Sequence, residues 1–364
     1  MKEDRKANEE NALAPPAWLS EAQWAPGCIP RGAVSPAPLL FDGAHHPIAT
    51  PEGWATRRGE LATRWQEFLG SIEAPPRAPI AEVVEDDRRA GVVRQLVRYE
   101  SEPGLLVEGY LLRPPGPGQG RAGVVVLHST VEETIRQPAG LAGTPDKHIA
   151  LHLAQRGHVT FAPRSFLWQY GRHGKYIEAV EWLRQRHPGV TGMAKMLFDA
   201  RRAVDLLARQ DDVDPARIGA IGHSLGAKVS FYLAAFDPRV RAAVASEGGI
   251  GLTDSNWNAP WYLGEAIRRP GFPLDHGQVL ALVAPRAFLV VAGESEDGDK
   301  SWPHVEAVQR VWSLTGAKSA VGFFNHRQGH AFPKVAQERS YEWLEWFLRR
   351  DIDRSGGGST KKPA

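Results

Sequence analysis

The chain has 364 residues, of which 42% are hydrophobic and 24% charged, a balance that builds a globular core and excludes a solvated, core-less polymer. The net charge of +2 gives no electrostatic case for nucleic acid or an anionic membrane surface as partner. A single cysteine, Cys28, excludes an intrachain disulfide and a metal site built from cysteine pairs.

Met1 to Asn11 are charged and lack an apolar stretch, so no secretory leader is expected. No apolar run reaches the ~18 residues a spanning helix needs, and a cytoplasmic location is the expectation. Residues 1–80 read as an arm and a helix packing on one larger domain. Pro, Ala and Gly dominate to about residue 50, and Pro51-Glu52-Gly53-Trp54 then opens a helix running to Gly70, with Trp54, Leu61, Trp65 and Phe68 near one face. From Val83 to Arg113 the pattern turns to strands, with a hairpin about Ser101-Glu102-Pro103-Gly104. Ala122–Leu127 is a continuous apolar strand of the kind a parallel sheet buries on both faces. It empties into His128-Ser129-Thr130. Lys147–Arg156 reads as a helix and His158–Ala162 as a strand, followed by a loop with Trp168 and Tyr170 at the sheet edge where open α/β folds bind ligands. Helices follow at Tyr176–Arg186 and Met193–Gln210, and an acidic turn, Asp211–Pro215, leads into the next strand.

That strand, Ile218–Ile221, stops at Gly222-His223-Ser224-Leu225-Gly226, and a helical run from Ala227 to Ala235 begins at once. G-x-S-x-G between a strand and a helix is a nucleophile elbow, which lifts a serine hydroxyl off the sheet edge. Glycines flank the serine because side chains there would meet the neighbouring backbone. Ser224 at a helix start lets the Leu225 amide face a developing oxyanion, and the backbone of Ser129 or Thr130 is the candidate second donor. Val240–Ala245 is the next strand, ending in Ser246-Glu247-Gly248-Gly249. Residues 250–279 follow neither period and read as a small cap, with Trp257, Trp261 and Tyr262 as candidate pocket walls. Pro285–Gly293 is a strand entering the acidic loop Glu294–Asp299. Pro303–Leu314 is a helix, Val321–Phe324 the last strand, and Val335–Arg349 the last helix. Residues 351–364, rich in Gly, Ser and Lys, are expected to be disordered.

A serine nucleophile needs an imidazole base, and the base needs an orienting carboxylate. In chain order Ser, acid, His, the base is His330, with His326 as the alternative; His304 precedes the last strand and His128 reads as structural. Two places supply the acid. The acidic loop offers Glu296, Asp297 and Asp299, of which Asp297 is favoured slightly. Glu247, a lone acid between an apolar strand and two glycines, is the rival, since glutamate is seldom buried unpaired. Lys228, one helical turn past Ser224, lies on the same face and is a candidate substrate contact. No H-E-x-x-H or clustered His/Asp spacing occurs, so neither metal nor other cofactor is expected.

Gly222–Lys228, the lead-in Val213–Gly219, Ala284-Pro285-Arg286 and Gly329-His330-Ala331-Phe332-Pro333 resemble bacterial α/β-hydrolases of the dienelactone hydrolase and acetyl xylan esterase group over residues 80–350. Glu247 and Lys228 stand where the similar glucuronoyl esterases carry their acid and a substrate-contacting lysine. Leu225 departs from those enzymes, which have arginine directly after the serine. The resemblance implies a doubly wound, mostly parallel sheet with helices on both faces. It also implies a cofactor-free carboxylesterase acting on a sugar or small-molecule ester. Other readings are a catalytically silent hydrolase fold used for binding, a dienelactone hydrolase, and a peptidase of the prolyl oligopeptidase type. The residues ahead of Val83 are too few and irregular for the propeller such a peptidase carries. The residues do not indicate an oligomeric state.

Overall fold

The computed structural model describes residues 15–349; the expectations for residues 1–14 and for the tail lie outside them. The arm makes two short 3-10 turns, Ala17–Leu19 and Glu21–Gln23, and runs as loop to Thr50. It is fixed to the far end of the chain, where Trp18 Nε1 donates to Glu342 at 2.5 Å. Helix α1 (Pro51–Leu69) starts at Thr50, whose hydroxyl accepts the Gly53 amide, and stops at Gly70, where φ is +77°. Its buried stripe is Trp54, Leu61, Trp65 and Leu69, and Trp65 stands edge-on to Tyr232 at 6.0 Å between ring centres.

Nine strands form one sheet: β1 (Glu82–Arg89), β2 (Val92–Glu102), β3 (Leu105–Arg113), β4 (Arg121–Leu127), β5 (Val159–Pro163), β6 (Val213–His223), β7 (Val240–Ser246), β8 (Ala287–Ala292) and β9 (Val321–Asn325). The order is β1-β2-β3-β5-β4-β6-β7-β8-β9. The first three strands form an antiparallel meander, and from β5 to β9 every neighbouring pair is parallel. Val124, Val125 and Val126 are fully buried, which is why β4 shows no alternation in sequence. Burial of each such side chain contributes roughly 1.5–3 kcal/mol relative to exposure.

The connecting helices are α2 (Ile149–Gln155), α3 (Phe166–Gln169), α4 (Tyr176–Arg186), α5 (Gly192–Leu207), α6 (Leu225–Phe236), α7 (His276–Val283), α8 (Trp302–Leu314) and α9 (Lys334–Phe347). Helices α5 to α8 line one face of the sheet and α2 and α9 the other, the expected doubly wound α/β-hydrolase arrangement. Two segments differ from the sequence reading. Strand β6 begins at Val213, inside the supposed acidic turn. The irregular segment after β7 ends by Asp275, because the Asp275 carboxylate caps α7 through the Gly277 amide at 2.6 Å. A first turn of His-Gly-Gln hides that helix from a periodicity argument.

Candidate active site

The elbow stands at the junction of β6 and α6. Ser224 has φ 59° and ψ −118°, a conformation costing a non-glycine residue on the order of 1–3 kcal/mol. The flanking glycines are required by space. A Cβ on Gly222 would lie 2.1 Å from the Gly226 carbonyl carbon, and one on Gly226 would lie 2.0 Å from the Leu127 oxygen. The Ser224 amide donates to the Ser246 carbonyl at 2.8 Å, tying the turn to β7. Leu225 opens α6, so its amide has no intrahelical acceptor and points from the positive end of the helix.

Ser129 is buried against the elbow, and its hydroxyl donates to the His223 carbonyl at 3.1 Å. Only its backbone remains for an oxyanion. Thr130 next to it is exposed, with the Tyr262 hydroxyl at its side chain. His128 is buried and doubly engaged: Nδ1 meets the Ser129 carbonyl at 2.8 Å and Nε2 accepts the Ser165 amide at 3.1 Å. Only a neutral ring satisfies both contacts, and burial pushes its pKa down to about 4.

His330 follows β9, and its ring centre lies 4.8 Å from that of His223, the neighbour of Ser224. Its Nδ1 lies 3.4 Å from Glu247 Oε2. Glu247, at the end of β7, is completely buried, with φ 56°. Its carboxylate also accepts the amides of Gly293 and, at 2.8 Å, Glu296. The Ser224 hydroxyl makes no hydrogen bond among the described residues. In free enzymes such contacts commonly tighten only when substrate is bound.

Of the two candidate acids, this geometry favours Glu247 over Asp297 as the partner of His330. Asp297 is buried, but both its oxygens are taken: they accept the Gly249 and Ile250 amides at 2.7 Å each and the Ser301 hydroxyl at 2.9 Å. It sets the loop after Glu247 rather than facing His330. Asp299 accepts from Asn325 at 2.8 Å and from Arg327 at 2.5 Å, away from the imidazole. Glu296 approaches Glu247 through its backbone. His326 is buried, its Nδ1 accepting the Gln328 amide at 3.1 Å, and His304 is buried in the first turn of α8.

Lys228 is not solvent-facing. It is buried, its ammonium donating to the Gly248 carbonyl and, at 2.7 Å, to the Ser255 hydroxyl. It sits 4.6 Å from the Trp257 ring centre and 5.4 Å from that of Tyr262. Burial lowers its pKa to about 8. Trp257 is a core residue, not a pocket wall: it is 1% exposed and donates from Nε1 to the Gly249 carbonyl at 2.6 Å. The reason is His276, 4.4 Å from it ring to ring, which also bonds the Ile250 carbonyl at 2.9 Å and the Tyr232 hydroxyl at 2.9 Å. Tyr232 and His276 take on their roles only where the cap folds onto α6 and α7, and Ser301 only where its hydroxyl meets Asp297, so none of the three leaves a signal in the sequence.

Trp168 and Trp261 remain partly exposed. Trp168 meets His128 at 4.9 Å and Tyr176 at 5.1 Å, and Trp261 meets Tyr176 at 5.4 Å, so Tyr176 joins the two into one wall. Tyr170 stacks on Trp182 at 3.6 Å, outside that wall. Among the described residues no group of three His, Cys, Asp or Glu side chains is placed to hold a metal ion, and no helix is long and apolar enough to cross a membrane.

The sheet order and the elbow between β6 and α6 are those of the α/β-hydrolase fold. Residues 107–267 match the Dienelactone hydrolase family. The chain is 24% identical over 201 residues to the 4-O-methyl-glucuronoyl methylesterase 1 of Sodiomyces alcalophilus, covering 46% of this chain and 40% of that protein. It is 20% identical over 358 residues to the 4-O-methyl-glucuronoyl methylesterase of Podospora anserina, covering 89% of this chain and 69% of that one. A solved glucuronoyl esterase from Solibacter usitatus shares the fold with a TM-score of 0.69 at 19% identity, over 88% of this chain and 100% of that chain. The chain thus spans well under half the length of the first of these relatives.

Proposed function

We propose that the protein is a serine carboxylic ester hydrolase with Ser224 as nucleophile, His330 as base and Glu247 as the orienting acid. The observation carrying this reading is the buried Glu247 carboxylate, fixed by two amides and directed at His330 Nδ1 3.4 Å away. The Ser224 oxygen attacks the ester carbonyl while His330 Nε2 takes its proton. The Leu225 amide and a backbone amide of Ser129 or Thr130 bind the oxyanion. The alcohol leaves with the proton from His330, and water, deprotonated by the same ring, then releases the acid and frees Ser224.

The relatives' names support carbohydrate esters as the substrate class, and the partly exposed Trp168 and Trp261 present flat faces suited to sugar rings. No metal or other cofactor is needed for this chemistry. Hydrolysis of 4-nitrophenyl acetate by the wild type, abolished in Ser224→Ala with the fold intact, tests the reading. Equal rates for the two proteins contradict it.

A further inference from the structure

Among the described residues, Lys147 is a cation near the site that the mechanism leaves without a task. Lys147 closes the turn Pro145–Lys147 that leads into α2. Helices α2 and α9 lie side by side and run the same way. His152 Nδ1 meets the Tyr341 hydroxyl at 3.1 Å and, one turn on, Arg156 meets Glu345 at 2.5 and 2.7 Å. The two helices therefore begin at the same end, so the turn ahead of α2 and the loop bearing His330 ahead of α9 lie toward one end of the pair. The electrostatics agree, since the ammonium acts on Glu247 and on His223, both of which meet the His330 ring.

Lys147 is half-buried, and among the described residues it forms no ion pair or hydrogen bond through its side chain. Its attractions are to Asp146 and Glu247, neither in contact with it. Arg164 and Arg327, by contrast, are engaged, with Glu108 at 3.0 Å and with Asp299 at 2.5 Å. A bare cation here also works against catalysis, because it disfavours the imidazolium that forms as the ester is attacked. An anion on the substrate cancels that penalty and adds an attraction. His330 delivers its proton to the departing oxygen, so a charge on its side faces the alcohol portion rather than the acyl portion.

We propose that Lys147 determines specificity by pairing its ammonium with a carboxylate carried on the alcohol portion of the ester. This rests on the serine-hydrolase reading above. The test compares 3-carboxy-4-nitrophenyl acetate with 4-nitrophenyl acetate in the wild type, Lys147→Met and Lys147→Arg. The ratio of kcat/KM for the acidic ester to that for the neutral one is expected to fall about tenfold in Lys147→Met, chiefly through KM of the acidic ester, and to recover in Lys147→Arg. It is expected to narrow in the wild type as salt is raised. A ratio unchanged by Lys147→Met overturns the proposal. A calorimetric arm reads Lys147 without turnover. In a Ser224→Ala background, addition of Lys147→Met is expected to weaken binding of the acidic ester about tenfold, and equal affinity overturns the proposal. Failure of the wild type to hydrolyse either ester counts instead against the nucleophile assignment.

Discussion

Glu247 and Asp297 hold each other's loops. The Glu247 carboxylate accepts the Gly293 and Glu296 amides from the loop after β8, and the Asp297 carboxylate accepts the Gly249 and Ile250 amides from the loop after β7. The exchange fixes the unfavourable φ of 56° at Glu247 and leaves that residue, not Asp297, facing His330.

Substitution of the two acids therefore separates catalysis from stability. Glu247→Ala is expected to lower kcat toward a nitrophenyl ester by roughly 10³ to 10⁴, the scale on which an imidazole loses its orienting carboxylate. Asp297→Asn keeps the shape but puts a donor group against buried amides, and is expected to cost about 1–3 kcal/mol of stability. Steady-state rates and denaturant melts on both variants check this.

The elbow tolerates no Cβ beside the serine. Gly226→Ala places that atom 2.0 Å from the Leu127 oxygen, a backbone atom that cannot swing away. A loss of at least about 3 kcal/mol is expected, read as a lowered melting temperature or a failure to accumulate soluble protein.

Acid destabilises the fold partly through His128. Its pKa, about 4 in the folded chain against 6.5 unfolded, means that the unfolded chain binds the extra proton in between. Stability from this residue is full above about pH 6.5 and is lost as pH falls toward 4. Buried His223 and His276 shift in the same direction and add to the loss. His128→Asn is expected to flatten this limb by an amount on the order of 1–3 kcal/mol, measured by urea unfolding from pH 7 to about pH 4.

Lys228 has the alkaline counterpart. Burial holds its pKa near 8, below the 10.5 of the free side chain, so the folded chain releases its proton first and stability rises through that interval. Lys228→Met, which keeps the stem, is expected to abolish that rise. Lys228→Ala also leaves a gap beneath Trp257 and Tyr262 and is expected to speed proteolysis within residues 248–275. Urea melts at pH 7.5 and pH 9.5 and limited digestion read these effects.

Much of this arrangement is legible in the residues. The elbow is a local signal, because strand, glycines, serine and helix follow within one short stretch. The buried parallel strands declare themselves as unbroken apolar runs. Glu247 was visible as an oddity between an apolar strand and two glycines, but choosing it over Asp297 required the direction in which each loop turns. That direction is set by amides 46 to 49 positions away along the chain. The cap was the least legible part. Lys228 and Trp257 are buried because irregular chain folds over them, and irregular chain has no period from which burial can be read. Lys147 offers no signal at all, since a lysine at a helix start is ordinary until the fold brings the charge of Glu247 to act on it.

The most direct measurement is the intact mass of the protein after exposure to a fluorophosphonate, with the modified peptide sequenced. The wild type is expected to gain one adduct, on Ser224, at a rate that falls strongly in His330→Ala and Glu247→Ala and far less in Asp297→Asn. A folded wild type that gains no adduct, or gains it on another residue, contradicts the assignment of Ser224, His330 and Glu247 as one catalytic unit.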